Sequence, residues 1–221
     1  MNLDETIRII TYPIDPDKVW KSCQFIVEEI KKIAEPIAVE KAESMNAWHF
    51  GIVYNREKQA IRVDPVVFAY NLEDAHKNTN IAYEKLLLYF VDHEKGHFEL
   101  QQQGLQPTLR KNRIYMTLYS RFEDYAISRF LRSGDYLATE KAVLKTESKR
   151  RAKTFNDICV YALYTALGYV KLKELPIFSK AQKYVRLISL NMKVIKKPMD
   201  IPETVDQLSL KLAHKDWKNV F

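Results

Sequence analysis

The segment His93-Glu94-Lys95-Gly96-His97 has the residue types and spacing of a metal-dependent hydrolytic centre. On a helix, residues four apart leave the same face about one turn apart, so the imidazoles of His93 and His97 can converge on one point. Two neutral ring nitrogens at that spacing suit a zinc ion, whose nitrogen ligands sit at about 2.0–2.1 Å. Glu94 is rotated by about 100° from His93 and need not ligate. It can instead accept the proton of a metal-bound water as a general base. The motif uses two of the five histidines in the chain. An accidental match is expected in roughly one chain of this composition per hundred.

A hydrolytic zinc centre keeps three protein ligands and one open position. The longer pattern H-E-x-x-H-x-x-G-x-x-H does not continue here, because Leu100 and Gln103 occupy its Gly and His positions. The third ligand is therefore expected farther along, where the next helical stretch offers Glu123 and Asp124. Glu123 shares its helix face with Met116, Tyr119, Ala126, Ile127 and Phe130. An acid on so apolar a face needs a compensating charge, and zinc would supply it. Asp124 shares its face with Thr117, Ser120, Arg121 and Ser128, a more polar setting. Glu123 is thus the expected ligand, and Asp124 the acid that receives an imidazole N–H; the exchanged assignment is the alternative. Gly96 costs the helix about 1 kcal/mol relative to Ala, which close approach of another backbone would explain.

These residues need elements to hold them. Ile81, Leu86, Leu87, Phe90 and Val91 lead into the motif at core-facing spacings, which predicts a helix over 81–103 with Asn80 as its cap and Gly104 beyond its end. Pro107 opens a second helix reaching about residue 133, and 155–172, 181–193 and 203–215 read as further helices. Upstream, 7–12 reads as a short strand. Asp15-Pro16 then opens an amphipathic helix that Pro36 ends. Residues 37–42, 47–54 and 59–63 read as strands, the last closed by Asp64-Pro65. The expected fold is α+β: a small, mostly antiparallel N-terminal sheet, the histidine helix, the glutamate helix and a helical C-terminal part. It is read as one domain over 1–221, with its core over about 1–134 and a helical extension over about 135–221.

The chain has 221 residues, and its 47% hydrophobic and 29% charged content excludes a disordered tail or a fibrous protein. Cys23 and Cys159 match no ligand spacing and exclude a secreted disulfide scaffold. Residues 1–5 lack the pattern of a signal peptide, and the longest uncharged run, 158–170, is too short to span a bilayer. A cytoplasmic protein with no membrane partner is expected. The 35 Lys and Arg against 28 acids leave a net charge of +7, which admits an acidic partner such as nucleic acid. The densest basic stretch, around Lys145, Lys149, Arg150, Arg151 and Lys153, carries no interleaved aromatics to stack on bases.

His93-Glu94-x-x-His97 followed on the next helix by Glu123 resembles the gluzincin branch of zinc metallopeptidases, and more narrowly its minimal single-domain members. The order helix, small sheet, H-E-x-x-H helix, glutamate helix is similar too, and the resemblance covers roughly 36–134. It implies zinc held by His93, His97 and Glu123, with Glu94 as general base and a peptide or unfolded protein as substrate. It also implies that a strand before the active-site helix, 47–54 or 59–63, pairs with an extended peptide. Two features depart from the family. Many gluzincins carry Asp four residues after the glutamate ligand, where Ile127 stands here. Their oxyanion-stabilising Tyr or His has no single counterpart among Tyr119, Tyr125, Tyr136, Tyr161, His76 and His214. Two other readings compete with the peptidase: a non-catalytic metal-binding interaction protein, and a basic nucleic-acid-associated protein.

Overall fold

A computed structural model describes residues 1–42, 50–107, 112–148 and 152–213. The chain is α+β and mostly helical, and it divides into two compact units, Met1–Glu99 and Leu100–Phe221.

The first unit opens with a helix, α1 (Leu3–Thr11), where a strand is expected over 7–12. Leu3, Ile7 and Ile10 are buried at helical spacing, and the Asn2 side chain accepts from the Glu5 amide as N-cap. The cap and the 3.6-residue period override the β-branched composition of the segment. In α2 (Pro16–Ala34), Asp15 accepts from the amides of Asp17 and Lys18, and Cys23, Ile26, Val27 and Ile30 face the core. Both helices behave as the N-cap and apolar periodicity require.

Strands β1 (Ala38–Lys41), β2 (Ile52–Asn55) and β3 (Ala60–Val63) form one sheet in the order β1-β3-β2. β2 and β3 run antiparallel with Tyr54 opposite Ile61, but β1 and β3 run parallel with Val39 opposite Ile61. The sheet is therefore mixed rather than mostly antiparallel. The chain returns to β1's partner through β2, so β1 ends up beside β3 in the same direction. Residues 47–49 of the second expected strand lie outside the described residues.

Asp64-Pro65 closes β3 and also opens a helix that the reading of turns does not anticipate, α3 (Pro65–Thr79). Asp64 accepts from the Val66 and Val67 amides, and Pro65 takes the first turn, where no amide is needed. Asn80 is the left-handed C-cap of α3 (φ 58°) rather than the N-cap of the next helix. The histidine helix α4 (Tyr83–Gln102) starts just beyond it.

In the second unit, α5 (Arg113–Ala126) is capped by Asn112 and runs on into a π-helical turn over Ile127–Leu131. Residues 108–111 of the helix expected from Pro107 lie outside the described residues. Then come α6 (Asp135–Glu147), α7 (Phe155–Ala166), α8 (Ser179–Lys193) and α9 (Ile201–Leu212). A reciprocal Thr154–Asp157 capping box starts α7. Gly168 at φ 76° stops it well short of the expected 172, with the Tyr169 amide returning to the Tyr164 carbonyl. α5 packs on α7 and α9, and α7 on α8, around Phe122, Ile158, Val185, Ile188 and Leu208.

Candidate functional site

In the first unit, α4 is fixed in rotation by contacts on three sides. Leu86, Leu87, Phe90 and Val91 are buried, as the lead-in to the motif requires. The Phe90 ring meets Phe68 of α3 edge-on at 5.9 Å and Phe50 at 5.3 Å. Lys95 reaches back and donates from Nζ to the Ile33 carbonyl at 3.0 Å, in the last turn of α2. A cation there also complements the negative end of the α2 dipole. Phe98 meets the ring of Tyr54 edge-on at 5.9 Å.

On this anchored helix His93 and His97 are half-buried. Their ring centroids stand 5.1 Å apart, nearly perpendicular at 86°. This is the separation that i,i+4 spacing dictates. It leaves both rings able to present nitrogens to a common point above the helix face. Gly96, between them, is buried.

Glu94 is buried and reaches the sheet. Its Oε2 accepts the backbone N–H of Tyr54 at 2.6 Å. Among the described residues β2 is an edge strand, so its outward amides have no strand partner. Glu94 takes one of them in a short, charge-assisted bond. That bond holds the carboxylate in one place, and no sequence signal marks it, because the donor is a backbone amide. The Tyr54 phenol is pushed up from its ordinary pKa, chiefly by burial, with Arg56 opposing.

In the second unit, Glu123 and Asp124 are both buried near the end of α5. The sequence reading places only Glu123 in an apolar setting; burial treats the two alike. Asp124 Oδ2 accepts from Arg121 Nη1 at 2.7 Å, one helical turn away. Burial alone would make Arg121 less basic, but Asp124, Tyr164 and Cys159 together outweigh it and leave the guanidinium more basic than usual. Ile127, fully buried, begins the π-turn. Such turns are common at functional sites because they rotate the residues beside them.

A further buried carboxylate, Glu140, is not among the residues that the sequence singles out. Glu140 on α6 accepts from Ser128 Oγ at 2.6 Å and from the Tyr169 hydroxyl at 2.6 Å, while Ser128 Oγ also contacts the Asp124 carbonyl at 3.0 Å. The only hint in the sequence is the spacing Tyr136-Glu140-Val143, an acid on an otherwise apolar helix face. Burial and the Glu140 charge push Tyr136 and Tyr169 well above the ordinary tyrosine range.

Of the oxyanion candidates, Tyr119, Tyr125, Tyr136 and Tyr161 are buried in the second unit. His76 is committed to holding the junction of α3 and α4. Its Nδ1–H donates to the Ile81 carbonyl at 2.8 Å, and its ring lies tilted against Tyr83 with centroids 4.3 Å apart. His214 lies outside the described residues.

Compared with protein-family models, with characterised proteins and with solved structures, the chain matches none. No described helix is long and apolar enough to cross a membrane.

Proposed function

We propose that this chain is a zinc-dependent peptidase. The observation that supports the reading is the pair of half-buried imidazoles on one face of α4, with the buried Glu94 carboxylate one residue along and held by the Tyr54 amide. The donor chemistry fits the metal: His93 and His97 supply imidazole nitrogens, and α5 supplies buried carboxylates. His93, His97 and Asp124 are of the types that hold a divalent cation. In the proposed assignment Glu123 is the third ligand and Asp124 orients an imidazole; the exchanged roles are the alternative. When bound, zinc supplies Lewis acidity to the scissile carbonyl and acidifies water.

The protein's own residues do the rest. Glu94 accepts a proton from the attacking water and returns it to the leaving amine. The Tyr54 amide keeps that carboxylate from wandering between turnovers. Away from Tyr54, whose amide Glu94 takes, the β2 edge is where an extended peptide would pair. The test is cleavage of an unfolded, carboxymethylated protein. Chelator-sensitive cleavage that Glu94→Gln abolishes supports the reading. Zinc-loaded wild type that leaves the substrate intact favours the non-catalytic interaction protein.

A further inference from the structure

The first unit contains a pocket whose lining includes none of residues 93–97. It holds about 440 Å³ and lies where the start of α2 meets the end of β1. Its walls are Pro13, Ile14, Pro16, Val19 and Trp20, and the buried Cys23 belongs to its inner surface. That volume is within the usual range for small-molecule sites, which combine apolar walls with a few placed polar groups. Two features mark the walls as unusual for a surface. Ile14 is 96% exposed and Trp20 55% exposed, a large apolar area left to water at one place.

Two described lining residues are charged. The Oδ1 of Asp15 already caps α2 by accepting from the amides of Asp17 and Lys18. Lys41, the last residue of β1, is the one cation of the described lining and is exposed. Its charge is felt at Cys23, where it opposes the upward push of burial on the thiol. Lys41 and Cys23 both line the pocket, so the lysine borders its buried wall. Apolar walls with one lysine beside them are complementary to a molecule with a hydrocarbon body and a single negative head.

We propose that this pocket binds a free single-chain carboxylate of medium length, with its chain against Val19 and Trp20 and its carboxylate on Lys41. Decanoate is the probe, titrated by calorimetry below its micelle concentration, with decan-1-ol and decyltrimethylammonium as comparators. Saturable one-site binding of decanoate is expected, about two- to fivefold tighter than that of the alcohol, in line with one exposed charge pair. Lys41→Met should remove that preference while leaving binding of the alcohol unchanged. The substitution is on an exposed side chain, so folding is not at stake. Tryptophan emission should shift to shorter wavelength on binding. That shift should vanish in Trp20→Phe although the calorimetric signal persists, which locates the site among the three tryptophans of the chain. Absence of saturable binding, equal affinity for acid and alcohol, an unchanged preference in Lys41→Met, or an emission shift that survives Trp20→Phe would each overturn the proposal.

Discussion

The proposed function gives Glu94 two separable roles, and two substitutions should split them. Its carboxylate satisfies the Tyr54 amide at 2.6 Å in a buried setting. Glu94→Gln keeps the shape and an oxygen that can accept the same N–H. The neutral bond is weaker by about 1 kcal/mol, but the cost of burying a charge disappears with it. The net change in stability should be near zero. Glu94→Ala instead leaves a buried backbone N–H without its acceptor, a cost of about 1–3 kcal/mol. For a chain of this size that lowers the melting temperature by roughly 2–12 °C. Melting should be followed by circular dichroism in chelator, so that metal affinity does not enter. Both variants should lose about 10²–10⁴-fold in peptide hydrolysis, the usual contribution of a positioned general base. If Glu94→Ala melts with Glu94→Gln, the Tyr54 bond contributes nothing. If Glu94→Gln cleaves peptides at the wild-type rate, Glu94 is not the base.

Gly51→Ala should destabilise the first unit by about 3 kcal/mol or more. A Cβ there would lie 2.3 Å from the Phe68 amide nitrogen on a residue held at φ 79°, and chemical denaturation reads the loss. Thr154→Ala should cost about 1 kcal/mol by opening the α7 capping box, read as a melting temperature roughly 2–4 °C lower. Tyr169→Phe removes a hydrogen bond to buried Glu140 and should cost about 1.5–3 kcal/mol. The folded protein holds the Tyr169 proton above the ordinary value of 10.0 because of burial and Glu140. That contribution is complete below pH 10 and is lost as the unfolded chain ionises above it. Denaturant titrations between pH 9 and 11 should therefore fall less steeply for Tyr169→Phe than for wild type, with the other raised tyrosines supplying the remaining slope.

How legible these features are in the sequence depends on their physics. Periodicity marks α2 and α8 well, because each buries one continuous apolar stripe; Val19, Cys23, Ile26 and Ile30 are enough for α2. The i,i+4 histidines are equally legible, since helix geometry alone sets their separation. Segments decided by a cap are harder. Residues 7–12 are β-branched enough to read as a strand, yet Asn2 and the spacing of Leu3, Ile7 and Ile10 make them helical. Asp64-Pro65 signals a stop and a start with the same two residues, so α3 is hidden behind the strand before it. The parallel pairing of β1 with β3 depends on contacts far apart in the chain and leaves no local mark. The partners of Glu94 and Glu140 are hidden for the same reason, and one of them is a backbone amide that every sequence contains.

The central claim is that His93, His97 and a carboxylate of α5 hold zinc. Metal content of protein purified without added metal, on wild type and on His97→Ala, Glu123→Ala and Asp124→Ala, tests it most directly. About one zinc per wild-type chain is expected, lost in His97→Ala and sharply reduced in Glu123→Ala, with a smaller reduction in Asp124→Ala. Loss in Asp124→Ala with retention in Glu123→Ala would exchange the two roles. Wild-type protein that carries no metal and takes none up on incubation with zinc would contradict the account.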